Sequence, residues 1–368
     1  MSNFGTDDPA AWFRLCRLPG TTNRTRLQVL RRFGGDAAAV FAASPTQLRT
    51  ALGTKPALSE AIGAATRLDV SADLDWLSGA DRYLLTIDDC RYPALLREIP
   101  DPPMVLFVHG CWRVLRRPAI AIVGSRNASP SGVLIAEHFA DRFCAYDLVV
   151  VSGLATGIDA AAHRGAIDAN GTTVAVAATG LDRVYPRQHR ALVHAITQHG
   201  AVLSEFPPGT PPLRRHFPQR NRIVSGIALG VLVVEAAARS GSLITARLAG
   251  EQGREVYAIP GPIQSPLSRG CHRLIRDGAK LVESVQDVLE DLPDTAPAER
   301  TKAISGNDPT LTALQSQLLA AVDYTPVTVD ALVARSGLTT ATVCSMLLEM
   351  ELQGVVAGAP DGTYTRLN

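Results

Sequence analysis

Short apolar runs alternate with helical patterns through the middle of the chain. The runs occupy residues 119–123, 148–151, 173–178, 201–203, 230–234 and 255–259. Because each run is almost continuously apolar, it indicates a strand that is buried on both faces, and the alternation with helices predicts a parallel, doubly wound α/β sheet. Ligands of such sheets bind outside the carboxyl ends of the strands, so the loops that follow the strands are the segments to examine for function.

The pattern changes towards both ends of the chain. Residues 9–68 form short helical stretches separated by turn signals such as Pro19-Gly20. Residues 291–308 are rich in Asp, Pro, Ala, Ser and Gly and have no apolar periodicity, which predicts a linker. Beyond it, three helical patterns precede two short strand patterns, which is the order of a winged helix. The helices are expected at 311–322, 328–335 and 339–353, and the strands at 355–357 and 363–367.

These patterns divide the chain into four parts. We expect a helical domain over residues 1–70, a Rossmann-like domain with an N-terminal extension over residues 71–290, the linker, and a winged-helix domain over residues 309–368. The segment from Leu18 to Leu27 resembles the turn of a helix-hairpin-helix or SAM-like module, in which amides at a helix start can meet a phosphate. Thr22 stands where a second glycine is expected, so a simple turn between helices is the alternative interpretation.

Charge adds a candidate function to this outline. The net charge is only +1, so a nucleic acid would have to be held by a local patch. Residues 206–234 contain no Asp or Glu but include Arg214, Arg215, Arg220 and Arg222. Guanidinium groups without a carboxylate nearby keep their donors free for phosphate, which predicts polyanion binding. A solvated basic loop is the alternative.

The cysteines and the N-terminus indicate the compartment. The six cysteines include no C-x-x-C pair, which argues against a zinc site or a disulfide framework and favours reduced thiols. Asp7 and Asp8 stand where a signal peptide would be basic and then apolar, and no run approaches the ~20 apolar residues of a membrane span. We therefore expect a cytoplasmic protein that does not enter a membrane.

Three strand ends carry glycines, hydroxyls or an arginine that suit an anion. Glycine allows close approach of a ligand, and a strand-to-helix turn points backbone amides at it. Ser129 can cap a helix that Pro130 begins. The residues are Gly124, Ser125, Arg126 and Ser129 after the first run, Gly153 and Gly157 after the second, and Ser240 and Ser242 after the fifth.

The same loops lack the signatures of common nucleotide enzymes. Neither G-x-G-x-x-G nor a P-loop is present, and Lys280 is the only lysine between residues 114 and 290, so we expect neither a bound cofactor nor ATP hydrolysis. Asp159 and His163 stand four residues apart without a third metal ligand. We therefore expect no metal and predict that both side chains orient the glycine loop by hydrogen bonds. No nucleophile elbow appears, so no catalytic residue is predicted.

Several long motifs follow one another in register over roughly residues 80–290. They include Ile-Val-Gly-Ser-Arg (122–126), Ser-Gly-Leu-Ala-Thr-Gly-Ile-Asp (152–159), His-Phe-Pro-Gln-Arg-Asn-Arg (216–222) and Ser-Gly-Ser-Leu-Ile-Thr (240–245). Together they closely resemble the DNA-processing protein A (DprA/Smf) family. The resemblance implies a cytosolic, non-enzymatic bacterial protein that binds and protects incoming single-stranded DNA during natural transformation and helps to load the recombinase RecA. It also implies a homodimer formed through the Rossmann-like domain.

The resemblance assigns roles to particular residues. Gly124, Ser125 and Arg126 match the family's phosphate-binding loop. A second basic element is matched by Arg220, Asn221 and Arg222, and Arg187 falls where relatives are expected to carry Lys. Single-strand binders also need aromatic faces on which bases stack. Phe217 and Tyr185 are the candidates, with ordinary core packing as the alternative for both.

Two other functions compete with this interpretation. Nucleotide-processing enzymes of the phosphoribohydrolase-like group share the core in outline, but their Pro-Gly-Gly-x-Gly-Thr-x-x-Glu loop is replaced here by Ala-Arg-Ser-Gly-Ser-Leu-Ile-Thr. A regulator could bind duplex DNA through the winged helix, yet residues 339–353 contain no Lys or Arg and include Glu349 and Glu351. We predict that this domain binds protein or packs against its own chain.

Overall fold

Six short helices form the front of the described chain. The computed structural model describes residues 8–53, 56–292, 311–359 and 362–366. Asp8 Oδ1 accepts a hydrogen bond from Ala11 N at 3.1 Å, and Ser44 and Gln47 form a reciprocal capping box, so polar residues mark helix starts as expected. The helices are α1 (Pro9–Cys16), α2 (Asn23–Arg32), α3 (Ala37–Ala42), α4 (Pro45–Leu52), α5 (Pro56–Ala65) and α6 (Ser71–Leu77).

An antiparallel pair of strands joins these helices to the central sheet. β1 (Arg82–Thr86) pairs with β2 (Val105–Gly110), and α7 (Ala94–Arg97) lies between them in sequence. One buried apolar cluster contains side chains from α1 to α6 together with Leu84 and Phe107 of the two strands. Phe13 stacks on Phe107 with ring centroids 5.4 Å apart, so the helices and the sheet share a core.

The central domain is a nine-stranded, mostly parallel sheet with helices on both faces. The strand order is β1-β2-β6-β5-β4-β3-β7-β8-β9, and β2 runs antiparallel to β1 and β6. All six strands predicted from the apolar runs are present, and the doubly wound fold is confirmed. The remaining elements are β3 (Ala119–Val123), α8 (Pro130–Ala145), β4 (Val149–Ser152), α9 (Ile158–Asp168), β5 (Thr173–Val176), α10 (Arg190–His199), β6 (Ala201–Ser204), α11 (His216–Gly226), β7 (Gly230–Val233), α12 (Ser242–Glu251), β8 (Glu255–Ala258), α13 (Arg269–Arg276), β9 (Lys280–Leu281) and α14 (Val285–Leu289).

Alternate side chains of the strands enter two separate cores. In β3, Ile120 and Ile122 join the cluster formed with α8, α9 and α14, whereas Ala121 and Val123 join the cluster formed with α11, α12 and α13. Because helices cover both faces, every residue of β3 is buried. This arrangement explains why the sequence shows continuous apolar runs rather than an alternation of apolar and polar residues.

The strand order also sets the position of a crevice. From β3 the chain adds β4, β5 and β6 on one side, and it then crosses back to place β7, β8 and β9 on the other side of β3. The connections after β3 and β7 therefore leave the sheet towards opposite edges. In doubly wound folds this switch point opens a crevice at the carboxyl ends of the strands, which is where ligands bind.

A separate winged-helix unit follows residue 310. Its three-stranded antiparallel sheet has the order β10-β12-β11, and Leu318, Leu332 and Leu347 of its three helices are fully buried together. The three predicted helices and the two predicted strands are present in the predicted order, and the structure adds a short strand, β10, between the first two helices. The linker lies outside the described residues from residue 293 onward. No single helix in the described ranges is long and apolar enough to cross a membrane. The elements are α15 (Ala313–Ala321), β10 (Val327–Thr328), α16 (Val329–Ser336), α17 (Thr340–Leu352), β11 (Val356–Gly358) and β12 (Thr363–Arg366).

Candidate functional site

A cleft of about 730 Å³ opens at the switch point, where the loops after β3, β4 and β7 meet the start of α11. It brings together most of the residues that the sequence singled out. Ser129, Gly157, His163, Arg187 and Arg222 are not among its lining residues. The predicted residues that do line it are Gly124, Ser125, Arg126, Gly153, Asp159, Tyr185, Arg214, Phe217, Arg220, Asn221, Ser240 and Ser242.

The two glycine turns after β3 and β4 touch each other. Ser125 O accepts a hydrogen bond from Ile158 N at 3.1 Å, and Thr156 Oγ1 donates to Arg126 O at 3.1 Å. Gly157 has φ +74°, and a Cβ there would overlap the carbonyls of Ser125 and Arg126. Glycine at this position is therefore required for the close approach of the two loops, although it does not itself face the cleft.

Three backbone amides of these turns are used within the protein. Ser125 Oγ accepts from Asn127 N at 3.2 Å, and Asp159 Oδ2 accepts from Ala155 N at 3.2 Å, which ties Asp159 to the glycine loop. Ile158 N is already bonded to Ser125 O. The expectation of free amides aimed at an anion is wrong for these groups. These three amides therefore hold the shape of the turns and are not donors to a ligand in the cleft.

A carboxylate of the protein occupies the start of α8. Ser129 caps this helix by accepting from Gly132 N at 3.0 Å, as its place before Pro130 predicted. Its Oγ also donates to Glu235 Oε1 at 2.5 Å, and its N donates to Glu235 Oε2 at 3.0 Å. Burial raises the pKa of Glu235, although these two hydrogen bonds act to lower it. The position predicted for a bound anion at the start of α8 is thus occupied by the protein's own Glu235 carboxylate, which follows β7.

Arg220 forms the floor of the cleft. It is 4% exposed, and its Nη1 donates to Gly153 O and Val176 O at the ends of β4 and β5. A Cβ at Gly153 would lie 2.6 Å from Nη1, which explains the glycine. Burial lowers the pKa of Arg220 to about 10, and Asp159 opposes that shift, so the guanidinium stays charged at neutral pH. The expectation that its donors remain free is wrong for Nη1, since they hold the strand ends.

Arg222 points away from the cleft, and its predicted role as a free phosphate contact is wrong. Its Nη2 pairs with Glu205, and its Nε lies 3.3 Å from Asp101 Oδ2. Glu205 precedes the acid-free stretch by one residue, and Asp101 is distant in sequence, so the pattern could not reveal either pair. Arg214 and Arg215 are exposed and have no carboxylate partner among the described residues, and Arg214 lines the cleft.

A cation and two aromatic rings form one surface at the rim of the cleft. The exposed Arg126 guanidinium lies 5.5 Å from the centroid of the Phe217 ring, and Tyr185 meets the same ring edge-on at 5.6 Å. Tyr185 is 48% exposed, so the core-packing alternative is wrong for this residue. Phe217 is half-buried. We call Arg126, Phe217 and Tyr185 the rim cluster.

The start of α12 supplies hydroxyl groups on the other side of the cleft. Ser240 Oγ and Ser242 Oγ are 2.7 Å apart, and Ser240 Oγ accepts from Ser242 N at 3.3 Å. Asn221 Nδ2 lies 3.5 Å from Gly241 O, beside these hydroxyl groups. Arg187 is exposed in a short 3-10 turn beyond Tyr185 and lies outside the cleft lining.

His163 does not orient the glycine loop, contrary to the prediction from its spacing. The ring is fully buried, and its Nδ1 lies 2.7 Å from Thr173 Oγ1 at the start of β5. Burial lowers its pKa to about 3, with further contributions from the charges of His189 and Arg220. Within the described ranges, no group of three or more His, Cys, Asp or Glu side chains could hold a metal ion.

Protein-family models and characterised relatives match most of the chain. The model described as DNA recombination-mediator protein A matches residues 83–293, and that of the DprA winged helix domain matches residues 302–362. Protein Smf of Escherichia coli K12 is 42% identical over 309 residues, which is 82% of each chain. DNA processing protein DprA of Streptococcus pneumoniae R6 is 51% identical over 205 residues, which is 56% of this chain and 72% of that protein.

Two solved structures share the architecture. The X-ray structure of DNA processing protein A from Streptococcus pneumoniae has a TM-score of 0.69 and 39% identity, covering 78% of this chain and 99% of that chain. DNA processing protein A from Helicobacter pylori, whose structure is described for its unique single-stranded DNA binding mode, has a TM-score of 0.50 and 29% identity. That match covers 54% of this chain and 91% of the Helicobacter chain.

Proposed function

The chain belongs to the DNA recombination-mediator protein A family, and from that premise we propose that it binds single-stranded DNA in the cleft. The rim cluster is the observation that carries the proposal, because it presents a free guanidinium beside two accessible rings. A strand with unpaired bases uses both kinds of group, since its phosphates need cations and its bases need flat apolar faces. The Helicobacter relative, described by its single-stranded DNA binding mode, supports the same ligand.

Side chains would hold the phosphates in this arrangement. Arg126 and Arg214 supply charge at the cleft, and Asn221, Ser240 and Ser242 supply neutral donors on its other side. Tyr185 and Phe217 would stack against bases without reading their edges, so binding should tolerate any sequence. Arg220 contributes through the loops that it holds rather than through a direct contact.

We further propose that the protein acts in natural transformation as a non-enzymatic mediator. In this role it would protect incoming single strands and help to load RecA in the cytoplasm, as a homodimer formed through the Rossmann-like domain. The family description as a recombination mediator and the relatives named DNA processing protein DprA support this role.

Nucleotide processing is the competing function, and one contact argues against it. A mononucleotide bound in a doubly wound fold places its phosphate at the first helix start of the sheet. Here that place, at the start of α8, is taken by the Glu235 carboxylate bonded to Ser129. The arrangement favours a polynucleotide that lies over the rim of the cleft.

Replacing Arg126 by alanine should weaken single-strand binding by about 1–3 kcal/mol and lower the slope of log K against log salt by about 0.7, the value of one lost phosphate contact. Folding should be unaffected because Arg126 is exposed and has no ion-pair partner among the described residues. Fluorescence anisotropy with oligothymidylate at two salt concentrations measures both effects. Arg116→Ala is the matched control, since this exposed residue precedes β3 and lies at the opposite edge of the sheet. Equal affinities of Arg126→Ala and wild type would argue against the site.

Truncation after residue 292 should leave affinity for duplex DNA unchanged at moderate salt. Helix α17 has no Lys or Arg, and Glu349 on it accepts a hydrogen bond from Gln315 Nε2 at 3.0 Å. Arg335 of the same domain is paired with Asp323 at 2.6 Å. A surface that lacks unpaired cations of this kind should bind a phosphate backbone weakly. Loss of duplex binding in the truncated chain would show instead that the winged helix contacts DNA.

A further inference from the structure

A second polar groove lies beside α2, separate from the cleft. It has a volume of about 540 Å³, with apolar side chains such as Val29 and Leu52 among its lining residues. No Asp or Glu is among the residues that line it in the described part of the chain. We call it the α2 groove. Its polar side chains are Thr25, Gln28, Arg31, Arg32 and Thr50.

All charged side chains of α2 are positive. The helix contains four arginines and no Asp or Glu. Arg26 is used locally, since its Nε donates to Thr21 Oγ1 at 3.0 Å. Arg24, Arg31 and Arg32 are exposed, and their side chains have no hydrogen-bond or ion-pair partner among the described residues. Two of these three free guanidinium groups line the α2 groove, so the groove carries a local positive potential that no neighbouring carboxylate of its lining cancels.

Helix stability alone does not explain this arrangement. Arginines in the last turn of a helix interact favourably with the helix dipole, and that applies to Arg31 and Arg32. The dipole does not require a groove, however. It also does not explain why Thr25, Gln28 and Arg32, spaced by about one helical turn, share one face of α2. Hydroxyl and amide donors beside free guanidinium groups are the set that binds phosphate oxygens.

The α2 groove has a fixed position relative to the central domain. Asn23, at the start of α2, donates from Nδ2 to Asp101 Oδ1 at 2.8 Å and accepts from Met104 N at 3.1 Å. Arg17, which follows α1, pairs with Asp73 at 2.5 Å and donates to Pro208 O at 2.7 Å, in the loop that leads to Arg214. A ligand that spans the cleft and the groove would therefore meet two sites at a constant separation.

We propose that the α2 groove is a second phosphate-binding site, which holds the backbone of the same DNA strand beyond the cleft. The proposal rests on the single-strand function proposed for the cleft. No aromatic side chain lines the groove in the described residues, so it binds phosphate without stacking bases. Once a strand occupies the cleft, the groove acts on the same molecule at high effective concentration, and affinity rises with strand length.

Oligonucleotides of two lengths distinguish binding at the groove from binding at the cleft. An oligothymidylate of about six nucleotides fills the cleft alone, and one of roughly 40 nucleotides is long enough to reach both features. Both are titrated by fluorescence anisotropy against the full-length chain and the Arg31→Gln/Arg32→Gln variant. The matched control, Arg67→Gln/Arg116→Gln, also removes two charges from exposed arginines, but outside the groove and the cleft. Circular dichroism and thermal melting verify that each variant is folded.

The expected result is a loss of affinity for the long strand only. The groove variant should bind it about tenfold more weakly than wild type, with a slope of log K against log salt lower by about 1.4, while the short strand and the control variant are unaffected. Unchanged long-strand affinity, or an equal loss on both strands, overturns the proposal. A wild-type chain that fails to bind the short strand overturns the cleft function instead, and the long-strand comparison still decides whether the groove binds phosphate.

Discussion

Replacing Arg220 by alanine should lower the free energy of unfolding by about 3–5 kcal/mol. The substitution removes the donor shared by Gly153 O and Val176 O and leaves a void under the cleft. It also removes a cation that stabilises the ionised carboxyl of Asp159, whose pKa burial already raises. Urea denaturation at neutral pH, followed by circular dichroism, measures the change.

Two further variants test this explanation. Arg220→Lys keeps the charge but has a single ammonium in place of the planar guanidinium, so its loss should be intermediate. Asp159→Asn should cost less in the Arg220→Ala background than in wild type, because the amide no longer leaves a buried charge without its cation. A loss below about 1 kcal/mol in Arg220→Ala would contradict a supporting role for this residue.

Acidification from pH 7 to pH 5 should weaken the fold through His163 by about 2 kcal/mol. Burial holds the pKa of His163 at about 3 in the folded chain, against about 6.5 when the chain is unfolded. Below pH 6.5 the His163 side chain becomes protonated in the unfolded state but stays neutral in the folded state. The stabilising contribution is therefore complete above pH 6.5 and is lost progressively as the pH falls towards 3.

The contribution of His163 is isolated by comparison with a variant. His163→Gln should lose about 2 kcal/mol less stability than wild type between pH 7 and pH 5, because only the wild-type side chain takes up a proton on unfolding. His138→Gln removes an exposed imidazole and serves as the control. Urea denaturation of all three chains at both pH values gives the three differences required. Parallel losses in wild type and His163→Gln would show that another group controls the acid response.

The fold could be predicted because its strands are buried on both faces. Ile120 and Ala121 enter different cores, so both must be apolar, and the run reads as a strand without any alternation. The winged helix was recognisable from the order of its elements. Thr339, predicted at the start of its last helix, accepts from Thr342 N as the cap of α17. Local signals of this kind survive in a single sequence because they depend on neighbours along the chain.

The site was less predictable because its partners are distant in sequence. The acid-free stretch of residues 206–234 suggested four equivalent arginines, but Arg220 and Arg222 are buried against groups from other loops, and only Arg214 and Arg215 remain exposed. The sequence showed no sign of the bond between Glu235 and Ser129, because the two residues are 106 positions apart in the chain. Exposure of Tyr185 depends on how two loops meet, which no spacing rule encodes.

The bond between Glu235 and Ser129 bears on how the protein behaves amid cellular metabolites. Free ATP and other nucleoside phosphates compete for any vacant anion pocket in a Rossmann-like core, and here the fold supplies its own counterion at α8. Capture of a strand at the rim should consequently meet no competition from a nucleotide bound at the start of α8.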